Sequence, residues 1–233
     1  MGTSSDIFAT QTAGLRSLLG CGNLHTFDFV EGGVESPPAP GIAALFPNTD
    51  YYAYYDPKSP QSILQALDDL SAYLTDEGPF DGVMGFSQGA ALASMLISRF
   101  CNNASVSNKE ASHTYTASSS PFSFAIFICA AAPLCEDSLR SGTIKHLDPD
   151  ERGGKEEDRK ASSTFKLPIP VANIVGRKDP DLAASLRLAG LCQGPSVLLD
   201  HGAGHEIPSG SMLVLRQMAE CVEEVIAKAT LVQ

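Results

Sequence analysis

GVMGFSQGAALA, residues 82–93, decides the fold. Val83, Met84 and Phe86 form a short apolar run, and Ala90 to Ala93 open an apolar, alanine-rich one. Between them stands Gly85-Phe86-Ser87-Gln88-Gly89, a G-x-S-x-G element at the junction of an expected strand and an expected helix. Crowding explains these residue types. A serine on so sharp a turn has strained backbone angles, and glycines let neighbouring backbone pass close by. The turn lifts the hydroxyl to the top of the sheet, where the following helix dipole favours developing negative charge. The same serine and glycines would also suit a helix cap beside a tight packing turn.

Working outward, Ser4, Ser5 or Asp6 can cap a first helix carrying Phe8, Leu15, Leu18 and Leu19. Cys21 to Asn23 reads as a turn and Leu24 to Val30 as a strand. The proline-rich stretch VESPPAPGIAALFP reads as an irregular loop, followed by the tyrosines of DYYAYYD. Ser59-Pro60 starts a helix with Ile63, Leu64, Leu67, Leu70 and Leu74 at helical spacing. Phe80 to Phe86 is a strand and Gln88 to Phe100 a helix of small residues. SFAIFICAA (123–131) reads as a buried strand, LPIPVANIVG (167–176) as another strand and SVLLD (196–200) as the last. Asp181–Leu191 and Ser211–Ala229 read as helices.

Strands alternating with helices imply a single α/β domain over residues 1–233, with a mostly parallel sheet and helices on both faces. Polar insertions are expected near 102–121 and 136–166, the latter and the loop 34–47 as pocket walls. In such sheets the functional groups lie beyond the carboxyl ends of the strands, where Ser87 falls.

Composition narrows the function. The chain has 233 residues, 43% of them hydrophobic, enough for one sizeable core. A net charge of −11, from 27 acidic and 16 basic residues, argues against a nucleic-acid partner. No apolar run reaches membrane-spanning length, and MGTSSDIFATQ does not read as a signal peptide, so the expected location is the cytoplasm. The six cysteines have no metal-ligand spacing, and Cys129 and Cys221 read as small buried hydrophobes. There is no dinucleotide fingerprint and no phosphate loop; no metal or cofactor is expected.

A nucleophilic Ser87 needs an acid and then a histidine, in that order. Asp179 follows the strand VANIVG and can fix an imidazole tautomer, although a helix cap would also explain it. Asp181 is the alternative acid, past Pro180. His205 lies in a glycine-flanked loop after the last expected strand. His201 competes, but reads better as a local hydrogen-bonding or surface residue.

The motifs GTSSDIFATQ, VEGGVESPPAPGI, EGPFDGVMGFSQGAALA, FAIFICAAAP, IVGRKDP and HGAGHEIP, met in this order, resemble the fungal serine hydrolase family of α/β-hydrolases. That family includes ovarian-cancer-gene-like hydrolases and polyketide-pathway thioesterases. The resemblance covers the whole chain except 102–121 and about 140–165. It implies the same triad of Ser87, Asp179 and His205. It implies cleavage of an ester or thioester through an acyl-enzyme, on a small-molecule or carrier-bound acyl substrate, with a polyketide synthase acyl-carrier domain as a partner. Family members open with a short strand ending in Leu-His-Gly ahead of a stretch like MGTSSDIF, and here that stretch begins at Met1. The expectation is therefore a sheet without that first strand. The oxyanion hole would be built from the N–H of Gln88 and of Gly2, and activity would be impaired. The alternative is a non-catalytic binding or scaffold protein.

Overall fold

The computed structural model describes residues 1–20, 24–107, 120–149 and 164–231. Helix α1 (Ser5–Leu18) is capped by Ser4, whose hydroxyl accepts the Ile7 N–H. Strand β1 (Val34–Glu35) pairs antiparallel with β2 (Tyr52–Ala53), and the short α2 (Ile42–Leu45) lies between them. Helix α3 (Pro60–Glu77) starts at the Ser59 cap with Pro60 in its first turn, as the sequence predicts.

The main sheet is parallel and built in chain order: β3 (Gly82–Phe86), β4 (Phe124–Ile128), β5 (Val171–Val175) and β6 (Ser196–Asp200). Register is continuous, Gly85 standing opposite Phe127, Phe127 opposite Asn173 and Asn173 opposite Leu198. Helices α4 (Gln88–Ser107), α6 (Leu182–Gly190) and α7 (Met212–Leu231) follow β3, β5 and β6. The short α5 (Glu136–Arg140) precedes β5.

Two cores follow from strand alternation. Ala125 and Phe127 face Ile63, Leu67, Leu96 and Leu188 on the side of α3, α4 and α6. Ile126, Ile128 and Ile174 face Leu15, Met218 and Val222 on the side of α1 and α7. Each of the larger of these side chains, fully buried, contributes about 1.5–3 kcal/mol. The two layers of helices fix the sheet, and the sheet fixes the loops at its carboxyl end.

Three expectations change. Leu24–Val30 forms no sheet strand; Phe27 and Phe29 instead take Arg16 over their rings at 5.5 and 5.1 Å. The helix expected to end at Phe100 runs on to Ser107, and Asn102 Nδ2 donates to Thr164 O at 3.0 Å. Residues 136–149, read as the start of a polar excursion, bury Leu139 and Leu147 in the core. The turn 21–23 and residues 108–119 and 150–163 of the expected insertions lie outside the described residues.

No strand borders the outer edge of β3 among the described residues. A cavity of about 520 Å³ runs along it, walled by Phe8, Phe27, Phe29, Met84, Phe86 and Ile226. Of the expected pocket walls, 34–47 and 136–166, neither 34–47 nor the described residues of 136–166 line this cavity, because it follows the strand edge.

Candidate active site

Ser87 sits between β3 and α4 with φ of 53°, a left-handed conformation that costs a non-glycine residue energy. The surroundings enforce it. Ser87 N–H donates to Ile128 O at 3.0 Å, and Ser87 O accepts the Ala131 N–H at 3.1 Å. The nucleophile turn is thus bolted to the end of β4. Gly85 is required here, since a Cβ would stand 2.5 Å from Ala90 Cα and 2.6 Å from Ala90 N. Gly89 is less constrained: a Cβ there would meet a Tyr54 ring carbon at 3.2 Å.

The three residues picked from the sequence come together. His205 Nε2 lies 2.9 Å from Ser87 Oγ, and His205 Nδ1 lies 2.8 Å from Asp179 Oδ2. The Asp179 side chain is only 1% exposed, that of His205 30%. Asp179 Oδ1 also accepts the N–H of Asp181, the N-cap residue of α6, at 2.7 Å, so one carboxylate serves both the turn into that helix and the imidazole. Asp181, the alternative acid, reaches the site only through that N–H. The Phe86 ring backs the His205 imidazole at 5.1 Å between centroids.

Gln88 has two functions. Its N–H opens α4 and takes no backbone acceptor among the described residues, which leaves it available beside Ser87. Its buried side chain accepts the Tyr54 N–H and donates to Tyr55 O, both at 2.9 Å, tying the tyrosine segment to the turn. This clamp was not foreseen; a lone glutamine in a motif gives no sign of where its amide points. Burial pushes the Tyr54 and Tyr55 hydroxyls up to about 12.

Gly2 does not meet its expectation as a second oxyanion donor. Its N–H donates to Tyr52 O at 2.8 Å and its carbonyl accepts the Ala39 N–H at 2.8 Å. With φ of 74° and the backbone of Pro37 to Ala39 against it, Gly2 is a turn residue whose donor is already spent. His201, read as local or surface, is buried, and its ring reaches Cys129. Cys129 Sγ, an Asp179 carboxylate oxygen and a His205 ring nitrogen lie within 4.8 Å of one another. Burial, with the Asp179 charge adding to it, pushes the Cys129 thiol up to about 12, so it stays protonated.

A parallel sheet flanked by helices, with a strained serine after its first strand and an acid and a histidine at later strand ends, defines an α/β-hydrolase. Residues 1–215 match the family model described as "Serine hydrolase (FSH1)", and the chain belongs to that family. It is 43% identical over 234 residues to the esterase FPY3 of Fusarium mangiferae, covering 100% of this chain and 96% of that one. It is 26% identical over 219 residues to the hydrolase phiM of a fungal species, covering 91% and 86%. Its fold is similar to that of the Bacillus cereus carboxylesterase, with a TM-score of 0.53 at 12% identity over 96% of this chain and 84% of that one. The protein is a serine esterase or thioesterase in type, acting on ester or thioester bonds.

Proposed function

We propose that Ser87, His205 and Asp179 are the working triad of this hydrolase. The observation that carries the reading is the continuous contact from Ser87 Oγ through the imidazole to a buried carboxylate, at 2.9 and 2.8 Å. His205 Nε2 takes the Ser87 proton as Oγ attacks the ester or thioester carbonyl, and then returns it to the leaving alcohol or thiol. Water repeats the sequence on the acyl-enzyme. Asp179 holds Nδ1–H and stabilises the imidazolium without taking the proton. The Gln88 N–H, at the positive end of α4, receives the oxyanion. A single such donor is worth on the order of 3 kcal/mol. With Gly2 engaged elsewhere, the tetrahedral intermediate rests mainly on Gln88.

Within that chemistry the substrate is a small-molecule or carrier-bound acyl group of fungal secondary metabolism, polyketide acyl-carrier thioesters included. Support for this finer reading is the family and its fungal relatives. Five free cysteines among the described residues favour a reducing compartment, in keeping with the cytoplasm. No described helix is long and apolar enough to cross a membrane.

Fluorophosphonate labelling of the wild-type chain beside Ser87→Ala tests the triad. The expected result is labelling that vanishes with the hydroxyl, and a loss of p-nitrophenyl ester turnover of roughly 10⁶-fold. Equal labelling of both folded proteins would move the nucleophile away from Ser87, and no labelling of the folded wild type would put the non-catalytic binding reading in its place. Acyl-thioester and acyl-ester panels matched in chain length then decide the leaving group.

A further inference from the structure

The loop 201–206 must present His205 to within hydrogen-bond distance of two partners. A displacement of 1 Å at a catalytic group costs about 10²-fold in rate, so whatever sets the loop is part of the machinery. Lys178 N–H donates to Ala203 O at 3.1 Å, and Asp200 Oδ1 accepts the Gly202 N–H at 2.7 Å. These hold the beginning of the loop. The carbonyls on either side of His205 are held differently. Gly204 O and Glu206 O both lie 3.7 Å from Cys129 Sγ as acceptors of its hydrogen, and Gly204 O also accepts the Glu206 N–H at 3.0 Å.

Cys129 is itself immobilised. It follows β4 directly, is fully buried, has φ of 44° and donates its N–H to Ile174 O at 2.8 Å. Its sulfur also lies 3.3 Å from His201 Nε2. The hydrogen-bond pattern assigns the proton on that ring. His201 Nδ1 accepts the Ala203 N–H at 3.2 Å, so Nε2 carries the hydrogen and donates it to the sulfur. The single thiol hydrogen is then shared between the two carbonyls, with the Asp179 carboxylate a further acceptor beside it. His201 N–H donates to Val175 O at 2.8 Å, fixing the ring's backbone at the end of the sheet.

Resting on the triad reading above, we propose that Cys129 and His201 form a clasp that positions His205, with the thiol holding the carbonyls on either side of the catalytic histidine. His201 acts through the loop and through Cys129, and Cys129 both holds the loop and borders the Asp179 carboxylate that His205 meets. The clasp explains why a thiol, rather than a methyl group, stands beside Asp179. An apolar side chain would leave the His201 Nε2–H and two carbonyls without this partner. Close packing completes it: a Cβ on Gly176 would run into His201 Cε1 at 2.8 Å and into the carbonyls of Ala203 and Gly204.

The test is a set of full-length variants, Cys129→Ala, Cys129→Ser, His201→Phe and the double Cys129→Ala/His201→Phe. Each is assayed for ester kcat and KM beside a urea midpoint. The expected result is that Cys129→Ala lowers kcat about 10- to 100-fold, the scale of a 1 Å misplacement. KM should stay within twofold, and Cys129→Ser, whose hydroxyl keeps a donor, should recover most of the loss. The double variant should fall no further than the worse single one, because both remove the same clasp. A Cys129→Ala kcat within twofold of wild type, or additive losses, would overturn the proposal. Histidine ¹⁵N–¹H spectra give a readout independent of turnover. They should show His201 as the Nε2–H form, and Cys129→Ala should shift the His205 ring signals. Unmoved His205 signals would overturn the clasp even if Ser87→Ala shows the triad reading to be sound. Shifted signals would sustain the clasp even if Ser87→Ala retained turnover and that reading fell.

Discussion

The Asp179 carboxylate meets His205 Nδ1 at 2.8 Å from a position only 1% exposed, while the imidazole it holds is 30% exposed. One partner is fixed and dry; the other faces the entrance. That asymmetry suits a base that must reach a substrate and an acid that must only orient it.

Asp179→Asn separates orientation from packing. The amide oxygen can still accept the Asp181 N–H, so the fold should hold. The amide NH₂ would then face His205 Nδ1 and force it to be the acceptor, leaving the proton on Nε2, where the Ser87 hydrogen has to go. A fall in kcat of about 10⁴-fold is expected, the scale of the same change in a serine-protease triad. Steady-state ester hydrolysis with circular dichroism alongside checks it. A loss below tenfold in folded protein would remove Asp179 from the triad.

The two glycines of the turn should behave differently. Gly85→Ala drives a Cβ against the backbone of Ala90, which cannot rotate away. Overpacking of this kind costs about 1–3 kcal/mol, and in a chain this size each kcal/mol lowers Tm by about 2–4 °C. Gly89→Ala meets only the edge of the Tyr54 ring and should cost under about 1 kcal/mol. Thermal melts of the pair decide the point; equal melting temperatures would show that the turn relaxes more than its packing implies.

Much of this site was legible in the sequence, and the reason is local. Ser87, Asp179 and His205 each fall just past an apolar strand, so chain order and strand ends were enough to bring them together. Leu24–Val30 failed because strand-like alternation does not say whether a neighbour exists to pair with; its aromatic residues found Arg16 instead. Gly2 failed because the competitor for its N–H, Tyr52 O, lies fifty residues away in the chain, beyond any local signal. Cys129 was invisible for another reason. In an apolar strand a thiol reads as a small hydrophobe, and only the fold reveals that carbonyls surround it.

Gln88→Ala tests whether the clamp on the tyrosine segment is separable from catalysis. It strips partners from the Tyr54 N–H and the Tyr55 carbonyl, each worth about 1–3 kcal/mol when left unsatisfied. Tm should fall by about 5–15 °C. The backbone N–H at position 88 survives the change, so kcat per folded molecule should stay within about tenfold of wild type. Active-site titration with a fluorophosphonate supplies the folded, competent fraction. A kcat collapse in fully titratable protein would mean that the side chain, not only the backbone, serves the reaction.

His201 gives the chain an acid-side sensitivity whose sign can be worked out. Burial lowers its pKa below the ordinary 6.5, while the charges of Asp200, Glu206 and Asp179 pull the other way without reversing it. The unfolded chain therefore binds the proton first as pH falls. Stability from the neutral, buried ring is complete above about pH 6.5 and is lost as pH drops through the folded value. Protonation would also put a hydrogen on Nδ1, facing the Ala203 N–H it now accepts. Urea midpoints of wild type should decline more steeply from about pH 7.5 to about pH 5 than those of His201→Gln, which has no such proton to bind. The other histidines cancel in that difference. Parallel declines would show that His201 titrates alike in the folded and unfolded chains, and that burial does not hold its ring neutral.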